Sequence, residues 1–85
     1  MDLEEALQKF YLGQEVWAWH TEKKKFVKVT IIGQPEVIPK QYPLGRIVVV
    51  EVTFEGLTDK VICDKVFFTE EAAMLAYFKR QNTIK

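Results

Sequence analysis

The chain carries one histidine, His20, one cysteine, Cys63, and no serine, and these counts bound the chemistry open to it. A Ser-His-Asp site is excluded, and a Cys-His site would require His20 to meet a solvent-accessible Cys63 thiol. Cys63 follows Val61 and Ile62 in an apolar run, where a thiol is expected to be buried and inert; His20 falls at the end of a strand, where a solvent-exposed hairpin residue is expected and not a base or a ligand. Zinc needs about four nitrogen or sulfur ligands, more than these two side chains supply. Gly13, Gly33, Gly45 and Gly56 are isolated, so the chain has no glycine-rich loop for phosphate. The acidic pairs Glu4-Glu5 and Glu70-Glu71 each open a predicted helix, where negative charge complements the helix dipole and needs no acid/base role. The inventory predicts a non-enzymatic protein with no metal and no cofactor.

Two constellations point to binding instead. The first is the proline-punctuated stretch from Gln34 to Gly45, with Val37, Ile38, Tyr42 and Leu44 as apolar anchors and Lys40 and Arg46 as rim charges for a protein partner. The competing reading folds these side chains back to close an open end of the sheet. The second places Trp17, Trp19 and Phe26 beside Lys23, Lys24, Lys25 and Lys28, a pattern of aromatic faces and cations that small β-barrels use for single-stranded nucleic acid. Against it, lysines at a hairpin tip usually form a solvated turn, and two tryptophans on one strand face are more often covered by a helix, here the Leu3 to Phe10 stripe. The formal net charge is zero, which gives little long-range attraction for a polyanion, although residues 20–46 sum to +4 between segments of −3 and −1. A protein partner is therefore the leading expectation and nucleic acid the alternative.

The elements that position these residues follow from periodicity. Leu3, Ala6, Leu7 and Phe10 are spaced i, i+3, i+4 and i+7, so a short helix is predicted, capped by Asp2 with Glu5 and ended by Gly13. Residues 14–20 and 26–33 read as a hairpin around a polar tip, Thr21 to Lys25. The three prolines mark a long loop that cannot be a central strand. Arg46 to Glu55 is the longest predicted strand, followed by a turn over Gly56 to Asp59 and a last strand from Lys60 to Phe68 that runs directly into a helix capped by Thr69. Met74, Leu75, Tyr77 and Phe78 share a broad arc of that helix and are expected to cover the sheet, with Ala72, Ala73 and Ala76 on the other side. The predicted fold is α+β, a small curled antiparallel sheet of four to five strands in the manner of an SH3-like barrel with a helix at each end, as one domain over residues 1–85.

The closing segment Lys65-Val66-Phe67-Phe68-Thr69-Glu70-Glu71-Ala72-Ala73 resembles a motif in small uncharacterised proteins of Gram-positive bacteria and their phages or mobile elements: a strand ending in Val-Phe, then Thr, a variable residue, Glu-Ala and an amphipathic helix. The resemblance covers roughly the last quarter of the chain and implies a source and a fold, with no activity assigned to any residue; the protein-binding expectation is accordingly that of a phage or mobile-element accessory or inhibitor protein. The chain departs from it in carrying bulky Met74-Leu75-Ala76-Tyr77 where those proteins hold more charge, which implies that the helix contacts a second chain. A homodimer is thus expected through this helix or a sheet edge. An acidic start, a lone cysteine and no long apolar run predict a cytoplasmic protein that does not enter the membrane.

Overall fold

The structure is a computed structural model that describes residues 1–41 and 44–82. Helix α1 spans Leu3–Lys9, and strands β1 to β5 span Glu15–His20, Lys25–Ile31, Glu36–Lys40, Gly45–Phe54 and Leu57–Ile62. A 3₁₀ turn at Cys63–Lys65 then leads to helix α2, Glu70–Asn82. The Asp2 carboxylate accepts from the Glu5 backbone N–H at 2.8 Å and caps α1, and Lys9 pairs with Glu5 one turn away.

All strand pairing is antiparallel, so the class is α+β as the periodicity predicts. β1 and β2 form the expected hairpin, with Trp17 opposite Lys28 and Trp19 opposite Phe26. β4 is the long central strand. Along one edge it pairs first with β3, Val49 opposite Glu36, and then with β2, Val52 opposite Ile31; along the other it pairs with β5. β2 and β3 therefore follow one another along β4, interrupted at Ile32 to Pro35, where the Ile32 N–H still reaches the Glu51 carbonyl at 2.9 Å. Gly33 lies at the closest approach, since a Cβ there would come within 3.1 Å of the Glu51 Cβ. The sheet is not closed: β5 pairs β4 alone, and the chain returns to β1 through one bridge between Trp17 and Phe67.

Several boundaries differ from the sequence reading: α1 ends at Lys9, because Phe10 is already extended, and not at Gly13. The proline stretch contains strand β3, whose Pro39 faces Arg46; one unpaired edge tolerates the missing N–H, so the prolines bar only a central position. The last strand ends at Ile62, and the 3₁₀ turn separates it from Phe67. Its beginning shifts as well, because Glu55 and Gly56, at φ 52° and 80°, make a two-residue turn that closes Phe54 onto Leu57. Two successive positive φ values match the right-handed twist of a hairpin and leave Leu57 to Asp59 free to pair.

The core lies on one face of the sheet. Val16 and Ala18 meet Val27, Val29 and Ile31 of β2, Val50 and Val52 of β4, Ala6 and Phe10 of α1, and Cys63 and Val66. Each fully buried valine or isoleucine contributes about 1.5–3 kcal/mol relative to exposure, so this set is the main source of stability.

Candidate functional site

Alternation along β1 sends Trp17 and Trp19 to the face opposite the core. There they are half-buried, and the element over them is α2 rather than α1. Trp19 lies edge-on to Phe26 at 5.2 Å, stacks with Tyr77 at 6.3 Å, and carries the Arg80 guanidinium over its ring at 4.2 Å. Phe26 in turn meets Phe67 edge-on at 5.2 Å. Such contacts are worth about 0.5–1.5 kcal/mol each beyond the area they bury, so the cluster fixes α2 against the hairpin.

This packing reverses the expected orientation of α2. Ala73 is fully buried, with Ala72, Ala76 and Tyr77 half-buried, because small residues are what let a helix approach a strand face already filled by tryptophan and phenylalanine. The bulky arc instead faces outward: Met74 is 48 % exposed, Leu75 63 % and Phe78 54 %. Only Tyr77 of the four residues assigned to the sheet turns inward. Beside them runs a groove of about 350 Å³ between α2 and the hairpin, lined by Trp17, Lys25, Phe26, Met74, Tyr77 and Phe78. Glu70 and Glu71 flank this surface at the start of the helix and Lys79 at its end.

Only two of the four lysines lie with the tryptophan face. Lys23 bonds to Glu55 and lies over the Phe54 ring, Lys24 occupies the turn at φ 53°, and Lys25 lines the α2 groove. Lys28 sits over Trp17 at 6.0 Å and near Glu15. The basic groups proposed for nucleic acid are thus split between the hairpin tip, Lys23 and Lys24, and the aromatic face, Lys25 and Lys28, and the outer face of Trp19 is occupied.

The proline-stretch residues are likewise divided by the β3–β4 ladder. Val37 pairs with Val48, half-buried Ile38 with Ile47, Lys40 with Gly45, and Arg46 with Pro39. Leu44 projects at 91 % exposure, while Tyr42 lies outside the described residues. Leu44, Lys40 and Arg46 share the end of one hairpin, and Val37 and Ile38 are set back along it.

Neither titratable candidate forms a nucleophilic site. Cys63 is buried in the core, and desolvation followed by the neighbouring Asp64 charge pushes its thiol up from the ordinary value. The His20 Nδ1 accepts the Lys23 backbone N–H at 3.1 Å and its ring meets Phe54 edge-on, so His20 stabilises the hairpin turn and is half-buried rather than exposed. Lys60 is held above its ordinary pKa by its hydrogen bond to Glu36, a link across β4 that is surface-exposed. Among the described residues no three His, Cys, Asp or Glu side chains are grouped to hold a metal, and no helix is long and apolar enough to cross a membrane.

The residues that stand out structurally and that sequence reasoning placed inward are Met74, Leu75 and Phe78. The available signal was the alanine triplet at 72, 73 and 76, which marks the side of a helix able to sit on an aromatic strand face. No protein-family model matches the chain, no curated protein matches it, and no solved structure matches it.

Proposed function

We propose that this chain is a non-enzymatic protein-binding domain, built on an open relative of the SH3-like barrel, that engages its partner through the outward face of α2 and the adjoining groove. The observation that carries the reading is the row of large apolar side chains, Met74, Leu75 and Phe78, presented to solvent on a helix anchored from beneath. Apolar groups clustered on a rigid element and rimmed by charge are the usual make-up of a protein contact. The β3–β4 hairpin end, with Leu44, Lys40 and Arg46, is a second surface that extends the contact without the same density of apolar groups. An accessory or inhibitory role in a cytoplasmic setting agrees with this reading. Nucleic acid is disfavoured because Trp19 is already stacked by Tyr77 and Arg80.

Site-specific photo-crosslinking in bacterial cells tests it, with benzoylphenylalanine introduced at Leu75 or at Leu44. The expected result is a discrete protein adduct from position 75 that survives nuclease. Adducts from position 44 alone would move the contact to the hairpin. Nuclease-sensitive adducts would revive the nucleic-acid alternative, and the absence of any adduct at position 75 would overturn the proposal.

A further inference from the structure

The occupant of the α2 face is itself legible in the charge order of the helix. Residues four apart form rows along a helix, and α2 turns two such rows outward, Glu71-Leu75-Lys79 and Glu70-Met74-Phe78. The first row reads acid, apolar, base. We infer that the face binds a second copy of this chain, with the two α2 helices antiparallel about a two-fold axis at Leu75; the inference rests on the reading of α2 as the docking surface.

Turned end over end about Leu75, the row meets its own complement. Leu75 lies against the partner's Leu75, and Glu71 lies opposite the partner's Lys79, a pair that symmetry makes twice. A parallel arrangement would instead oppose Glu71 to Glu71 and Lys79 to Lys79, so charge selects the antiparallel one. An isologous two-fold contact is the commonest way identical subunits associate. Arg80 keeps its place over Trp19, on the inward side, and is not asked to move. The sheet edge is the poorer candidate for self-association, because β3 carries Pro39, which removes a donor, and exposed Lys40.

The contact is one helix about 20 Å long. That is small beside the roughly 1,600 Å² of a standard stable interface, so the association is reversible and in the micromolar range.

Sedimentation equilibrium on the purified chain, up to about 500 µM and thus well above a micromolar dissociation constant, tests the inference. The forms compared are wild type, Glu71→Lys, Lys79→Glu, the double reversal and Leu75→Asp, each checked for helix content by circular dichroism. Wild type is expected to dimerise, each single reversal to weaken association by about tenfold because two attractive pairs become repulsive, the double reversal to restore it, and Leu75→Asp to abolish it. Should the double reversal fail to fold, Leu75→Cys with oxidised glutathione provides the second measurement: a covalent dimer forms at position 75 and not with Leu44→Cys. A chain that stays monomeric throughout, a dimer indifferent to Leu75→Asp, or a folded double reversal that does not recover would each overturn the inference. A monomer that nevertheless gives a foreign adduct at position 75 in cells would leave α2 as the docking surface and remove only the second copy.

Discussion

Burial of the Cys63 thiol gives the residue scale its clearest pH signature. In the unfolded chain the thiol titrates near its usual value of about 8.5, whereas desolvation and the Asp64 charge hold it protonated to higher pH in the folded protein. The folded state therefore binds more protons above that value, and the contribution is fully present below about pH 8.5 and lost as pH rises through the raised folded value. The thermal midpoint of the wild type should fall more steeply between about pH 8 and pH 10 than that of Cys63→Ala, which is the less stable protein at neutral pH because it leaves a small void. Thiol reagents should modify native Cys63 no faster than the chain unfolds. The Glu55-Gly56 turn offers a second test at this scale. Gly56→Ala meets open space but keeps φ 80°, so urea titration should show a loss of about 1 kcal/mol, while Glu55→Asn, better suited to φ 52°, should gain a few tenths.

Elements were legible where one local signal decided them. The Asp2 cap, a short helix starting at Leu3 and the β1–β2 hairpin with its polar tip all follow from spacing and composition, and the structure retains them, although the helix stops at Lys9 and not at Gly13. The proline stretch was harder, since Pro39 excludes a central strand but says nothing against an edge, and pairing with β4 decides the matter. The orientation of α2 was not legible from the helix alone. Bulk argues for facing the core, yet the surface that receives α2 is already filled by Trp17, Trp19 and Phe26, and a filled surface selects alanine. This explanation is testable at Ala73, which is buried against that face. Ala73→Leu should cost about 1–3 kcal/mol by overpacking, and should shift tryptophan emission to longer wavelength as the helix lifts. The candidate surface was missed for the same reason, because Met74, Leu75 and Phe78 become a surface only once Ala73 has been placed beneath.

For the molecule as a whole, a reversible two-fold contact links stability to concentration. The thermal midpoint should rise by a few degrees between about 5 µM and 500 µM chain, and Leu75→Asp should remove the dependence while leaving the dilute midpoint nearly unchanged. Leu75 is exposed and not part of the core, which is why stability at low concentration is indifferent to it. The bridge from Phe67 to Trp17 bears on an earlier moment in the life of the chain. Its two hydrogen bonds, at 2.8 and 2.9 Å, are the only backbone cover on the outer side of β1 among the described residues. During synthesis β1 leaves the ribosome well before Phe67 does. Until the last third emerges, Glu15–His20 is an open strand carrying two tryptophans, the kind of edge that recruits other nascent chains. Slowing translation between β4 and α2 should therefore lower the soluble yield of this protein, and supplying a chaperone that shields nascent hydrophobic segments should restore it.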